Sequence, residues 1–242
     1  MLDQDISIQE MKNCPFCSNE GVPLYQGFRD RLFGAPGIWS LMRCPKCDLV
    51  WLNPRPIGND ISKLYTEYYT HQPEDSSKKR LASLRKAVKT SILQSAFGYP
   101  VNAQGGPFGW VFPKIGPLKE IVGGSVMWLK AGERGRLLDV GCGNGRFLAQ
   151  MRGLGWEVVG VEPDPEAARI AKERFGLEVF QDTLEEAKFP NDSFDAITMN
   201  HVIEHVPDPV GLLAESRRIL KPGGKLVVVT PNTNCQSRCR MV

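Results

Sequence analysis

Residues 137–145 read Leu-Leu-Asp-Val-Gly-Cys-Gly-Asn-Gly, an apolar run that passes directly into a glycine-rich turn. Phe147, Leu148, Met151 and Leu154 follow at helical spacing. Strand, tight turn and helix in that order make the opening unit of a parallel sheet that takes a ligand at its carboxyl edge. The strand 136–140 is expected to be buried, and Gly141, Gly143 and Gly145 to let the backbone turn sharply and approach a ligand with no Cβ in the way. Spacing narrows the ligand. A dinucleotide fingerprint is Gly-x-Gly-x-x-Gly, whose third small residue brings the helix onto the sheet beneath a pyrophosphate. Arg146 occupies that third position, which leaves Gly-x-Gly-x-Gly and argues against NAD.

Further strands are expected downstream. Residues 157–164, Glu-Val-Val-Gly-Val-Glu-Pro-Asp, form a second buried strand that ends in a carboxylate. From that position a parallel-sheet edge can accept both hydroxyls of a ribose, so Glu162 is the candidate ribose ligand. Residues 179–183 end a third strand, 194–200 make a fourth, and 220–232 supply a turn and a fifth. All these strand ends fall on one side of an α/β sheet.

Asp139 and its glycine turn, then Glu162, Asp182, Asn200 and the Lys-Pro-Gly-Gly segment at 221–224 occur in this order. The series resembles the motifs of the class I S-adenosylmethionine (SAM) methyltransferases. The resemblance implies a Rossmann-like α/β sheet with SAM as cofactor. It implies cofactor contacts from Asp139, Gly141, Cys142, Gly143, Glu162, Pro163, Asp182, Thr183 and Asn200, with Asp182 at the adenine amino group and Thr183 beside the ring. Members of that family usually carry seven strands, the last two as an antiparallel pair. Here the fifth is followed by a polar tail with no strand pattern, so strands six and seven are expected to be missing and the core at 134–242 to be incomplete. Leu226-Val-Val-Val-Thr230 would then present an edge on which a second copy could pair, giving a homodimer. The alternative to an enzyme is a non-catalytic SAM-fold binding or scaffold module.

Seven cysteines in a chain with no signal-peptide pattern point to reduced thiolates in a cytoplasm rather than to a disulfide framework. Four are paired, as Cys14-Pro-Phe-Cys17 and Cys44-Pro-Lys-Cys47, with 26 residues between the pairs. Two Cys-x-x-Cys turns offer four thiolates, the closed tetrahedral shell of a structural zinc site. A redox dithiol needs one pair and a thioredoxin-like βαβ context, which is missing. Residues 1–58 are therefore read as a four-cysteine zinc ribbon, closed by a last strand that Pro54 and Pro56 end, and Cys142, Cys235 and Cys239 as unligated. Residues 43–56, with Leu64-Tyr-Thr-Glu-Tyr-Tyr69, resemble a subgroup of bacterial methyltransferases in which such a ribbon precedes the SAM domain. Several members of that subgroup act on sugars or other metabolites in glycan and natural-product pathways. A small-molecule, sugar or lipid-linked acceptor is what this implies.

Residues 59–133 read as a helical, then irregular, linker and cap over the active site. Asp75 and Ser76 could cap a helix with Leu81, Leu84, Val88 and Ile92 on one face. Lys78, Lys79, Arg80, Arg85, Lys86 and Lys89 fill the other, expected either as a solvated face or, with Phe108, Trp110, Phe112 and Trp128, as a peripheral membrane contact over residues 78–112. No apolar run is long enough to span a bilayer. The formal charge of +3 falls to about +1 once four thiolates hold one zinc, and no basic stripe with interleaved aromatics marks the ribbon, so nucleic acid is not the expected partner.

Candidate bases follow the fourth strand, in Asn200-His201-Val-Ile-Glu204-His205. His201 and His205 are the candidate catalytic residues, since a neutral imidazole suits general-base work near pH 7. The competing reading is that they cap a helix or pack beside the adenine. His-x-x-Glu-His also matches an inverted zincin pattern, but that site needs a third ligand well downstream on its own helix, for which little chain remains. Tyr65, Tyr68 and Tyr69 could line an acceptor pocket, with packing as their default role.

Overall fold

The computed structural model describes residues 7–30, 37–57, 79–101 and 115–231, with the side chains of residues 79–84 excepted. The expectations for Tyr65, Tyr68, Tyr69, Asp75, Ser76, Leu81, Leu84, Phe108, Trp110, Phe112 and the tail from residue 232 lie outside the described residues. The described residues divide into two units, 7–57 and 79–231.

The first unit is built on two cysteine turns and short antiparallel pairings. β2 (Val22–Phe28), β3 (Trp39–Arg43) and β4 (Val50–Asn53) form a three-stranded sheet in that order, and β1 (Ile8–Gln9) pairs with β5 (Arg55–Pro56). The two prolines do not end strand pairing together, because Pro56 pairs with Ile8, as a proline can on an edge. The core is small: Cys14, Met42, Cys44 and Trp51, with Met11, Cys17 and Leu49 against them. The Trp51 indole N–H finds the Met11 carbonyl at 2.8 Å.

The second unit opens with α1 (Lys79–Phe97) and α2 (Gly116–Gly124), then alternates β6 (Arg136–Val140), α3 (Arg146–Gly153), β7 (Glu157–Val161), α4 (Pro165–Phe175), β8 (Glu178–Phe180), β9 (Phe194–Asn200), α5 (Pro209–Ile219) and β10 (Leu220–Val229). Its five strands are parallel in the order β10-β9-β6-β7-β8. The chain steps outward from β6 to β8, then returns to the other side of β6, so strand order reverses between β6 and β9. A crevice at the carboxyl edge belongs at that reversal.

Leu137 and Leu138 point to opposite faces and are both fully buried, which explains the unbroken apolar run of β6. One face packs Leu137, Val158 and Ala196 against Leu148 and Met151 of α3, Ala168 and Ala171 of α4, and Ile92 and Phe97 of α1. The other packs Leu138, Val159, Ile197 and Met199 against Leu212 and Ile219 of α5. Each buried leucine or isoleucine contributes about 1.5–3 kcal/mol. Local signals set the helix ends: Asp164 accepts from the Ala167 N–H at 2.8 Å with Pro165 in the first turn, and α4 stops at Gly176 in the left-handed region.

Two expectations need correction. Lys89 does not lie on a solvated basic face of α1: it is half-buried, donates to Gln150 Oε1 at 2.8 Å, and has its pKa lowered by that burial. β10 keeps the unpaired outer edge expected of it among the described residues, but not the cover on both faces that its run of valines suggests. Leu226 is 36 % exposed, Val227, Val228 and Val229 are half-buried, and β10 pairs only with β9 among the described residues. A marginal strand has neighbouring side chains on one flank alone. No helix among the described residues is long and apolar enough to cross a membrane.

Candidate active site and cysteine cluster

The turn after β6 is held by backbone bonds before any ligand is considered. The N–H groups of Gly141 and Cys142 both donate to the Val161 carbonyl, at 2.8 and 3.1 Å, and the Gly145 N–H donates to the Cys142 carbonyl at 3.1 Å. Gly141, Gly143 and Gly145 all lie in the left-handed region, with φ of 70°, 52° and 77°. A Cβ on Gly141 would sit 2.6 Å from Val202 Cγ2, so the loop after β9 lies directly on the turn.

Glu162 is the first residue past β7, and its carboxylate is buried at the sheet edge. Oε2 accepts from the Gly143 N–H at 2.7 Å and Oε1 from the Asp164 N–H at 3.0 Å. Burial raises its pKa, and the two N–H donors pull it back. Each oxygen keeps a lone pair for a further donor, which is what a vicinal diol presents. Asp139 is buried at the end of β6, where burial and the nearby Glu162 charge push it up to about 7 against the Thr198 hydrogen bond. Cys142 fills the turn, its buried thiol against Gly160, where any Cβ would come within 2.6 Å of the sulfur.

Pro163 is exposed beside Glu162, and Asp182 and Thr183 are exposed in the turn after β8. Thr183 is already engaged locally, since its hydroxyl donates to Glu186 Oε2 at 3.0 Å and its N–H donates to the same oxygen at 3.1 Å. Asn200 ends β9, exposed.

The residues after β9 form one cluster. His201, at φ 57°, donates its N–H to the Val229 carbonyl at 2.8 Å. Its Nδ1 lies 3.1 Å from Glu204 Oε1, the His205 Nε2 lies 3.9 Å from the same oxygen, and the Thr230 hydroxyl donates to Glu204 Oε2 at 3.1 Å. Burial holds His205 below the ordinary imidazole range, against the Glu204 charge. Neither histidine caps α5, because Asp208 does so by accepting from the Gly211 N–H at 2.9 Å. Sequence reasoning left Thr198, Thr230 and the bridging role of Glu204 unassigned. Strand register brings Thr198 and Thr230 to the site, with no local pattern to mark them, whereas Glu204 lies only three residues after His201.

In the first unit, the four Sγ atoms of Cys14, Cys17, Cys44 and Cys47 lie within 4.8 Å of one another, all as free thiols. The two turns are copies: the Cys14 and Cys44 N–H groups donate to Asn19 and Leu49 at 2.8 Å, and their carbonyls accept from Ser18 and Asp48. Ser18 and Asp48, four residues after each leading cysteine, share left-handed φ values of 59° and 61°. The Asn19 backbone and side chain hold Cys17 down at about 6, whereas, against the pull of the Leu49 N–H, the neighbouring thiols of Cys44, Cys14 and Cys17 push the exposed Cys47 up to about 12. Four sulfurs this close cannot all carry charge without a cation, and a divalent metal fits that donor set.

A family model described as "Methyltransferase domain" matches residues 123–241. A ubiquinone biosynthesis O-methyltransferase of Xanthomonas oryzae pv. oryzae is 39 % identical over 104 residues, 40 % of this chain and 43 % of its own. The namesake from Ruegeria pomeroyi is 41 % identical over 107 residues, 42 % and 43 % of the two chains. This chain thus spans under half the length of those curated relatives. Among solved structures, a SAM-dependent methyltransferase from Thermotoga maritima is 39 % identical over 38 % of this chain and 42 % of its own, with a TM-score of 0.34.

Glu162→Ala is expected to weaken SAM binding by about 1.5–3 kcal/mol, the worth of hydrogen bonds to a charged group, and titration calorimetry measures it. With the parallel sheet, its glycine turn and the matching family model together, residues 123–241 are a methyltransferase domain of the class I SAM-dependent family.

Proposed function

We propose that this protein transfers a methyl group from SAM to a hydroxyl of a small-molecule acceptor, a sugar or a lipid-linked glycan among the candidates. The observation that carries the reading is the Glu162 carboxylate, fixed by the Gly143 and Asp164 N–H groups at the edge of the glycine turn. Glu162 would hold the ribose, with Asp139, Gly141, Cys142, Gly143 and Pro163 around the turn, and Asp182, Thr183 and Asn200 toward the adenine. When bound, SAM supplies a methyl group on a positively charged sulfur. The chain aligns the acceptor with that methyl, and alignment alone accounts for about 7–11 kcal/mol in well-oriented reactions.

A hydroxyl acceptor must also lose its proton. Glu204 accepts from His201 Nδ1, which fixes the tautomer that leaves Nε2 free to take that proton. Thr230 holds the other Glu204 oxygen, so the carboxylate keeps its orientation. His205, held neutral by burial, is the second candidate. The names of the curated relatives favour oxygen as the acceptor atom. The cysteine cluster is read as a structural zinc site, since four thiolates leave no ligand position open.

The test is a turnover assay with methyl-labelled SAM over a metabolite library rich in sugars and phenols. Label in a hydroxyl-bearing acceptor supports the reading. Tight SAM binding with no label transferred to any acceptor would favour a binding module instead.

A further inference from the structure

Asp139 has one neighbour across each ladder, and only one of the two can donate from its side chain. In register it faces Gly160 on β7 and Thr198 on β9. Thr198 is fully buried between Ile197 and Met199, themselves fully buried, so nothing in packing asks for a hydroxyl there. Valine would fill the same volume. The hydroxyl instead donates to Asp139 Oδ1 at 2.6 Å, much shorter than its 3.4 Å approach to the Leu138 carbonyl. A short hydrogen bond to a buried carboxylate favours its charged form and fixes its rotamer. The carboxylate it fixes lies two residues before the first glycine of the turn. The ionisable groups acting around Asp139 are Glu162 at the end of β7 and the Cys142 thiol within the turn.

We propose that Thr198 is a positioning residue for the cofactor: it keeps Asp139 charged and oriented beneath the glycine turn, so that Asp139 and Glu162 together attract a positively charged sulfonium compound. This rests on the SAM reading above. Neither carboxylate is neutralised by a described basic side chain within ion-pair distance. Two acids in one desolvated site suit a cationic ligand and penalise an anionic one such as a dinucleotide.

The experiment is calorimetric titration with SAM from pH 6 to 9, on the full chain and on Thr198→Val, Thr198→Ser and Asp139→Asn. A ¹³C carboxyl titration of Asp139 in the ligand-free protein accompanies it. Wild-type affinity is expected to fall on the acid side as Asp139 takes up its proton. Thr198→Val should move that limb, and the ¹³C midpoint, upward by about one to two pH units, with affinity about tenfold lower at pH 7 and recovered by pH 9. Thr198→Ser should restore the wild-type profile, and Asp139→Asn should abolish the limb. Thr198→Ala replaces the valine variant if that does not fold. An unmoved profile, or a loss equal at every pH, overturns the proposal, as does a limb that survives Asp139→Asn. If the wild-type protein binds no SAM at any pH, the cofactor reading falls as well. Normal wild-type binding with an unmoved Thr198→Val profile removes this proposal alone.

Discussion

His201→Ala is expected to lower turnover on a hydroxyl acceptor by about 10²- to 10⁴-fold while SAM affinity stays within a few-fold. The ring is half exposed at the carboxyl edge, where an acceptor can reach it, and its Nδ1 is held by Glu204. Truncation therefore removes the proton acceptor without touching the glycine turn. Glu204→Gln should cost less, about tenfold, because the amide can still contact the ring but no longer stabilises the imidazolium. Initial rates and calorimetry on the same preparations separate the two effects. Unchanged turnover in His201→Ala and in His205→Ala would mean that the base lies elsewhere or that none is needed.

Loss of metal is the second large effect. One zinc per chain is expected on purification, and its removal by a chelator, or Cys44→Ser, should unfold residues 7–57. Structural zinc sites contribute about 10–16 kcal/mol of apparent folding free energy, and apart from the cluster's own cysteines the described residues of this unit bury only Trp39, Met42 and Trp51. Trp39 and Trp51 both lie in it, buried, so their fluorescence reports the loss. Amide exchange should show the strands β6 to β9 keeping their protection. Cys47→Ser should be milder than Cys44→Ser, since Cys47 is exposed and Cys44 is fully buried. Freshly purified, reduced protein that contains no zinc would remove this reading.

The parts of the molecule that could be read in the sequence are those whose physics is local. β6, β7 and β9 are apolar runs bounded by glycine, proline or polar residues, and a parallel strand buried on both faces must look like that. Each Cys-x-x-Cys turn closes within six residues through its own backbone bonds, so the pairs announce the cluster before the fold is known. What could not be read depends on register. Thr198 reaches Asp139 only because β9 returns beside β6 with these two residues opposite, and Thr230 reaches Glu204 only because β10 ends beside β9. The pairing of Pro56 with Ile8 joins two-residue strands that have no periodicity to detect. Lys89 looks solvated in the sequence because a basic run usually is, but α1 lays this one side chain against Gln150 of α3. The valines of β10 suggest a strand covered on both faces, whereas residue type reports a preference for pleated surface and not the depth of burial.

The central claim is that the glycine turn and Glu162 form a SAM site and not a dinucleotide site. Titration calorimetry of the full chain with SAM, its demethylated product and NAD tests it directly. The expected result is binding of SAM and its product in the low-micromolar to sub-millimolar range, weakened at least tenfold in Glu162→Ala, with no heat from NAD. NAD bound and SAM ignored, or SAM bound equally well by Glu162→Ala, would contradict it.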